Sequence, residues 1–207
     1  MIADFDNVSR HIYSRLSREL SPYLTYHSLF HTRDDVVPAA TRLGLSAGLD
    51  SEGVLILATA AVFHDTGFLL SYDEHEQYSI LIARDTLPAY GYSAGQVAAV
   101  VDLIGATRMP QTPKGLLQEL MCDADLDLLG RDDFMHLNQL LLQETRHYMN
   151  KDMSDGAWFL GQSKFLENHH FFTRVADEFR SAGKVKNMAQ IRIVLSSLNG
   201  SVSNIGH

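Results

Sequence analysis

"SEGVLILATAAVFHDTGF", Ser51 to Phe68, decides how the chain is read. Val54, Leu55, Leu57, Ala58, Ala61 and Val62 cover most of a helical surface, so the segment reads as a central helix, apolar nearly all round and therefore buried. Asp50 or Ser51 can cap its start, and Gly67 supplies a stop. The stretch ends in His64-Asp65, two residue types that ligate metals. With 10 His and 17 Asp in 207 residues, chance alone supplies about one such dipeptide, so the pair acquires meaning only through residues elsewhere.

Helical periodicity continues on both sides, and convincing strand-like alternation is absent. "SAGQVAAVVDLIGAT" opens with Ser93 and Gln96 at capping-box spacing, and "RDDFMHLNQLLLQETRHYM" is acidic in its first turn and basic in its last. Further helices are expected at about 4–20, 34–43, 75–87, 114–129, 155–168, 173–182 and 185–198, with Pro38 starting or kinking the second of these. Breaks rich in Pro, Gly, Asn or Asp fall at 87–93, 107–115 and 150–156, short enough to be connections within a domain. The expected architecture is all-α, a compact single-domain helical bundle over residues 1–207.

Composition narrows the function classes. No apolar run is read as long enough to span a membrane, and "MIADFDNVSR" is acidic where a signal peptide would be basic, so a cytoplasmic protein without membrane attachment is expected. Cys122, the single cysteine, excludes an internal disulfide and reads as a small buried apolar side chain. A net charge of -8 argues against nonspecific nucleic-acid binding, which draws on a positive field.

Three separated segments carry metal-ligand types: "YHSLFHTRDD" (26–35), "FHDTGF" (63–68) and "CDADLDLLG" (122–130). Helix ends can bring such segments together in an all-helical fold. His27 and His31 are four apart and share a face if their segment is helical; the alternative is a pair of partly exposed histidines near a helix start. Asp123, Asp125 and Asp127 are spaced by two, about 200° apart on a helix, and cannot all reach one ion. Whichever faces the apolar stripe of Leu116, Leu117, Leu120, Met121, Leu128 and Leu129 needs a metal or a strong hydrogen bond, and the other two are expected to be exposed.

Taken together, these motifs resemble the HD-domain phosphohydrolase superfamily, whose pattern is a His, an adjacent His-Asp and a distant Asp around one metal. The matching positions are His31, His64, Asp65 and Asp125, and the resemblance covers a motif-bearing core of about residues 25–130, with helices over 132–198 completing the pocket. There is a partial likeness to cyclic-nucleotide phosphodiesterases. Tyr26, His27, Ser28, His31, Thr32 and Asp34 follow their first motif, which implies His27 as general acid; Ala124-Asp125-Leu126 resembles the surroundings of their last metal aspartate. Their purine-reading Gln-x-x-Phe is matched by Gln162 and Phe165, with Lys164 between them as a phosphate donor; an ordinary amphipathic helix is the alternative. After Asp65, however, "TGFLLSYDEHEQYS" replaces their His-Pro-Gly, and Ser28 replaces their Asn. His75 and Glu76 stand where two-metal members carry a further histidine, but Thr107 occupies another such place, so one metal site is expected.

What the resemblance implies is a hydrolase in which metal-activated water, with Asp65 and His27 as catalytic groups, attacks a phosphate ester of a nucleotide or similar small molecule. His75, Glu76, Gln162, Lys164 and Phe165 are the expected substrate contacts. The mixed nitrogen and oxygen donors suit Mn, Co, Ni, Fe or Zn better than Mg. A cyclic-nucleotide phosphodiesterase is the narrower alternative and a non-catalytic nucleotide sensor the other; the reading leaves room for a homodimer.

Overall fold

A computed structural model of the chain describes residues 2–149 and 151–203, with side chains as far as 198. Met1, residues 204–207 and Asn150, the first residue of the break expected at 150–156, lie outside the described residues. All regular structure among the described residues is helical, as the periodicity predicts. Contacts divide the chain into two compact units, Met1–Asp127 and Leu128–His207.

The first unit holds α1 (Phe5–Glu19), α2 (Val37–Ser46), α3 (Ser51–Phe63), α4 (His75–Thr86), α5 (Ala94–Ala106) and α6 (Leu116–Asp125). Helix α3 is the centre, packing on the other five. Every side chain from Ile56 to Phe63 is buried, which is why this helix has no polar face. By length and composition the 19-residue stretch Ser51–Leu69 could cross a membrane, contrary to the expectation that no run is long enough; 72% of its most apolar window is buried inside the protein, the behaviour of a core helix. Asp50 caps α3 by accepting from the Gly53 N–H at 2.8 Å, and Ser93 with Gln96 forms the full capping box of α5.

Gly67 has a different role from the one the sequence suggests. Gly67 does not end α3, which stops at Phe63; it sits in a tight turn, Thr66–Leu69, where a Cβ would lie 1.8 Å from the His75 carbonyl oxygen. Its bare backbone lets the start of α4 press against this turn, and the Gly67 N–H donates to Ser79 Oγ at 2.8 Å.

In the second unit are α7 (Phe134–Tyr148), α8 (Asp155–Asn168) and α9 (Arg174–Ser203). Helix α9 is continuous where two helices are expected, 173–182 and 185–198. Gly183 is kept for packing: a Cβ there would lie 1.9 Å from the Gly130 carbonyl oxygen. Asn187 locks the same contact by donating to the carbonyls of Leu129 and Arg131, both at 2.9 Å.

Candidate metal centre

Two helix ends and one widened turn build the site in the first unit. His64 caps the C-terminus of α3, and Asp65 follows with φ -107° and ψ 5°, outside the helix. In a continuing helix their side chains would diverge by about 100°. The break after His64 lets both point the same way. Asp125 is the last residue of α6. Asp65 and Asp125 thus put two carboxylates at helix C-termini, where the helix dipole repels negative charge and calls for a cation.

His31 opens a π-helical turn, His31–Val36, in which the Val37 N–H reaches back to Thr32 O. Such turns push a helix surface outward and recur at functional sites. His27 precedes it in a bend, so the two histidines do not share a helix face; their rings nevertheless stand 5.8 Å apart at 88°. Pro38 is the second residue of α2, which follows directly on this turn, so it neither begins the helical segment nor ends it.

The donors converge. His64 Nε2 lies 3.1 Å from Asp65 Oδ2 and 3.4 Å from Asp125 Oδ1, and His31 Nε2 lies 3.6 and 3.8 Å from the same two oxygens. Neighbouring donors each about 2.0–2.2 Å from one ion, at octahedral or tetrahedral angles, would stand about 2.8–3.6 Å apart. One donor atom each from His31, His64 and Asp65 lies within a mutual 4.8 Å, and all three residues are buried. His64 Nε2 and Asp65 Oδ2 are fully enclosed without a hydrogen-bond partner, an arrangement that is expensive unless a metal ion lies between the donors or a proton on His64 makes the pair ionic. The buried His31, His64 and Asp65 group could therefore hold a metal ion.

The surroundings orient the ligands. His64 Nδ1 contacts the Ala61 carbonyl at 2.8 Å, which fixes a proton on Nδ1 and makes Nε2 the lone-pair donor once the imidazole is neutral. Behind His31, Asp35 Oδ2 stands 3.9 Å from Nδ1, and the Tyr26 ring packs on the imidazole at 4.6 Å. Gln111 Nε2 donates to Asp125 Oδ2 at 3.4 Å. The spacing of four from His31 could have revealed Asp35. Gln111 has no local signal, because its loop reaches Asp125 only through tertiary structure.

Electrostatics follow from the crowding. Burial alone would lower His31 and His64, but the Asp125, Asp35 and Asp65 carboxylates outweigh it and raise both, His64 well above the usual 6.5. Burial alone would raise Asp65 and Asp125, but the facing histidines hold both below the usual 3.8, Asp125 at about 2.

His75 and Glu76 are brought to this centre. His75 Nε2 lies 3.5 Å from Asp65 Oδ1, the oxygen facing away from His64, and 3.7 Å from Glu76 Oε1. Phe68 stacks on both His75 and His27, at 3.9 and 4.5 Å, making a cluster of three rings. Glu74, just before His75, has a left-handed backbone (φ 55°), a conformation that costs a non-glycine residue energy and turns the chain into α4. Thr107, where another ligand might be sought, is buried and donates to Ile104 O at 2.8 Å.

Expected exposure is reversed among the aspartates. Asp123 and Asp127 are buried and Asp125 is the more open; Asp127 is neutralised by Arg42 at 2.7 Å. Leu116, assigned to the apolar stripe, is exposed because it sits at the start of α6. Cys122 is buried as expected; its Sγ donates to Ala106 O, and burial pushes the thiol up to about 12.

Gln162, Lys164 and Phe165 lie on α8 in the second unit. Gln162 Oε1 accepts from Asn138 Nδ2 at 2.8 Å, and Asn138 Oδ1 accepts from Trp158 Nε1 at 2.7 Å. Lys164 is exposed, and the half-buried Phe165 ring leans on His169 at 6.0 Å. No family model matches the chain, and no curated protein or solved structure matches it.

Proposed function

We propose that this protein is a metal-dependent phosphohydrolase of the HD-domain type, acting on a phosphate ester of a nucleotide or similar small molecule. The carrying observation is the convergence of His31, His64, Asp65 and Asp125 around a space in which His64 Nε2 and Asp65 Oδ2 have no other partner. A divalent ion in such a site supplies polarisation of a phosphoryl oxygen and acidification of water, with Mn, Co, Ni, Fe or Zn favoured by the two imidazoles.

The chain's own groups supply the rest. His27, half-buried and held by stacking on Phe68, is the general acid that protonates the departing oxygen in this reading. His75 stands against the outer oxygen of Asp65 and, with Glu76, offers polar contacts to a substrate beside the metal centre. Asp65 is shared: Oδ2 faces His31 and His64, Oδ1 faces His75.

The test is to measure bound metal in the purified protein and screen mono-, cyclic and oligonucleotide phosphates with Mn, Co, Ni and Mg. Asp65→Ala should abolish metal binding and turnover with helix content retained. His27→Ala should keep the metal and slow turnover by roughly 10²–10⁴-fold. Tight nucleotide binding without turnover of any substrate would replace the enzyme with a sensor. Loss of metal in His27→Ala would make His27 a ligand.

A further inference from the structure

A cavity of about 1120 Å³ lies between α4, α5, the 107–115 loop and the start of α6, and none of the metal-centre residues lines it. Its floor is one face of α5, formed by Ala94, Ala98, Val101 and Gly105, residues whose spacing of three and four places them in a row. Ile80 and Pro88 form one wall and Met109 and Pro110 the other. Small side chains keep the floor low, and the surface between the walls is apolar.

The charged part of the lining is mainly cationic. Arg84, Arg108 and Lys114 face one carboxylate, Asp102, in a chain whose net charge is -8. Asp102 is already engaged, accepting from Gln118 Nε2 at 2.7 Å, while Gln118 Oε1 accepts from the Lys114 backbone N–H at 2.7 Å. Arg108 reaches Glu74 at 3.4 Å. Among the described residues neither Arg84 nor Lys114 pairs with a carboxylate. An apolar trough edged by unpaired cations, in an otherwise acidic protein, is complementary to an anion with an apolar body.

We propose that this cavity is a second ligand site, taking a small amphiphilic anion: an apolar chain or ring along α5 with a carboxylate or phosphate head between Arg84 and Lys114. The loop that forms one side separates it from the metal centre. Arg108, Met109, Pro110, Thr112 and Lys114 line the cavity, whereas Gln111 turns away to Asp125. The site does not depend on the hydrolase reading.

Calorimetry with the full-length protein tests it, using decanoate below its micelle concentration and decyltrimethylammonium as the oppositely charged control. Decanoate should bind saturably, one per chain, and the cation about tenfold more weakly or not at all. Ala98→Trp, at an exposed position on the floor, should abolish decanoate binding by filling the trough. The double variant Arg84→Glu, Lys114→Glu should weaken it about tenfold while helix content is unchanged. Absent decanoate binding, equal binding of both amphiphiles, or binding that survives both sets of substitutions would each overturn the proposal.

Discussion

His64 and Asp65 show how much a single pair can depend on its surroundings. Alone they are a dipeptide expected by chance; at the end of α3 they share a space with His31 and Asp125. The metal-free protein therefore carries a definite pH signature. Depressed carboxylates contribute stability that is complete above their unfolded value of 3.8 and is lost as pH falls through the folded values, about 2 for Asp125. Raised histidines contribute stability that is complete below 6.5 and is lost as pH rises through their folded values. The metal-free chain should consequently be more stable to urea at about pH 5.5 than at about pH 8.5. Metal ligation requires neutral imidazoles, so Mn affinity should move the opposite way, rising with pH by roughly tenfold per unit for each proton displaced. Calorimetry in buffers of different ionisation enthalpy would register the released protons; a pH-independent affinity would contradict protonated histidines in the metal-free site.

Helix positions were largely written in local periodicity and capping, as α3, α5 and α8 show. What was hidden is where backbones touch. Gly67 reads as a stop signal because glycine is common at helix ends, yet both it and Gly183 are contact points, and only tertiary structure reveals the carbonyl that a side chain would strike. The π-helical turn at His31 was similarly invisible, since HTRDDV fits an ordinary helix as well. Asp127 was misplaced because its partner, Arg42, is 85 residues away in sequence. Gly67→Ala must displace the start of α4, since the obstructing atoms are backbone. It should destabilise the protein by roughly 1–3 kcal/mol. Because His75 is the residue displaced, Asp65 loses its outer contact, and the proposed phosphohydrolase activity should fall along with stability. Gly156→Ala is the control: a Cβ there meets open space, and the change should be neutral or stabilising by up to about 1 kcal/mol. Equal effects in the two variants, read from urea midpoints, would remove the close-approach role of Gly67.

At the scale of the whole molecule, the four converging donors come from segments spread over residues 31–125, so one ion would tie the 31–36 turn, the end of α3 and the end of α6 together. The unfolded chain does not hold these groups in register, and binding is then coupled to folding. At a free Mn concentration about 100 times Kd the folded state should gain about 2.7 kcal/mol. For a chain of this size that raises the midpoint of thermal unfolding by about 5–10 °C. Circular dichroism at the helix band, with and without Mn after chelator treatment, measures the shift directly. Asp65→Asn keeps the size of the side chain but removes the charge and should erase the shift. His75→Ala leaves His31, His64, Asp65 Oδ2 and Asp125 in place and should preserve most of it, because His75 meets only the outer oxygen of Asp65. If His75→Ala erased the shift as completely as Asp65→Asn does, the ion would sit between Asp65, His75 and Glu76 instead, and the four-donor assignment would fall.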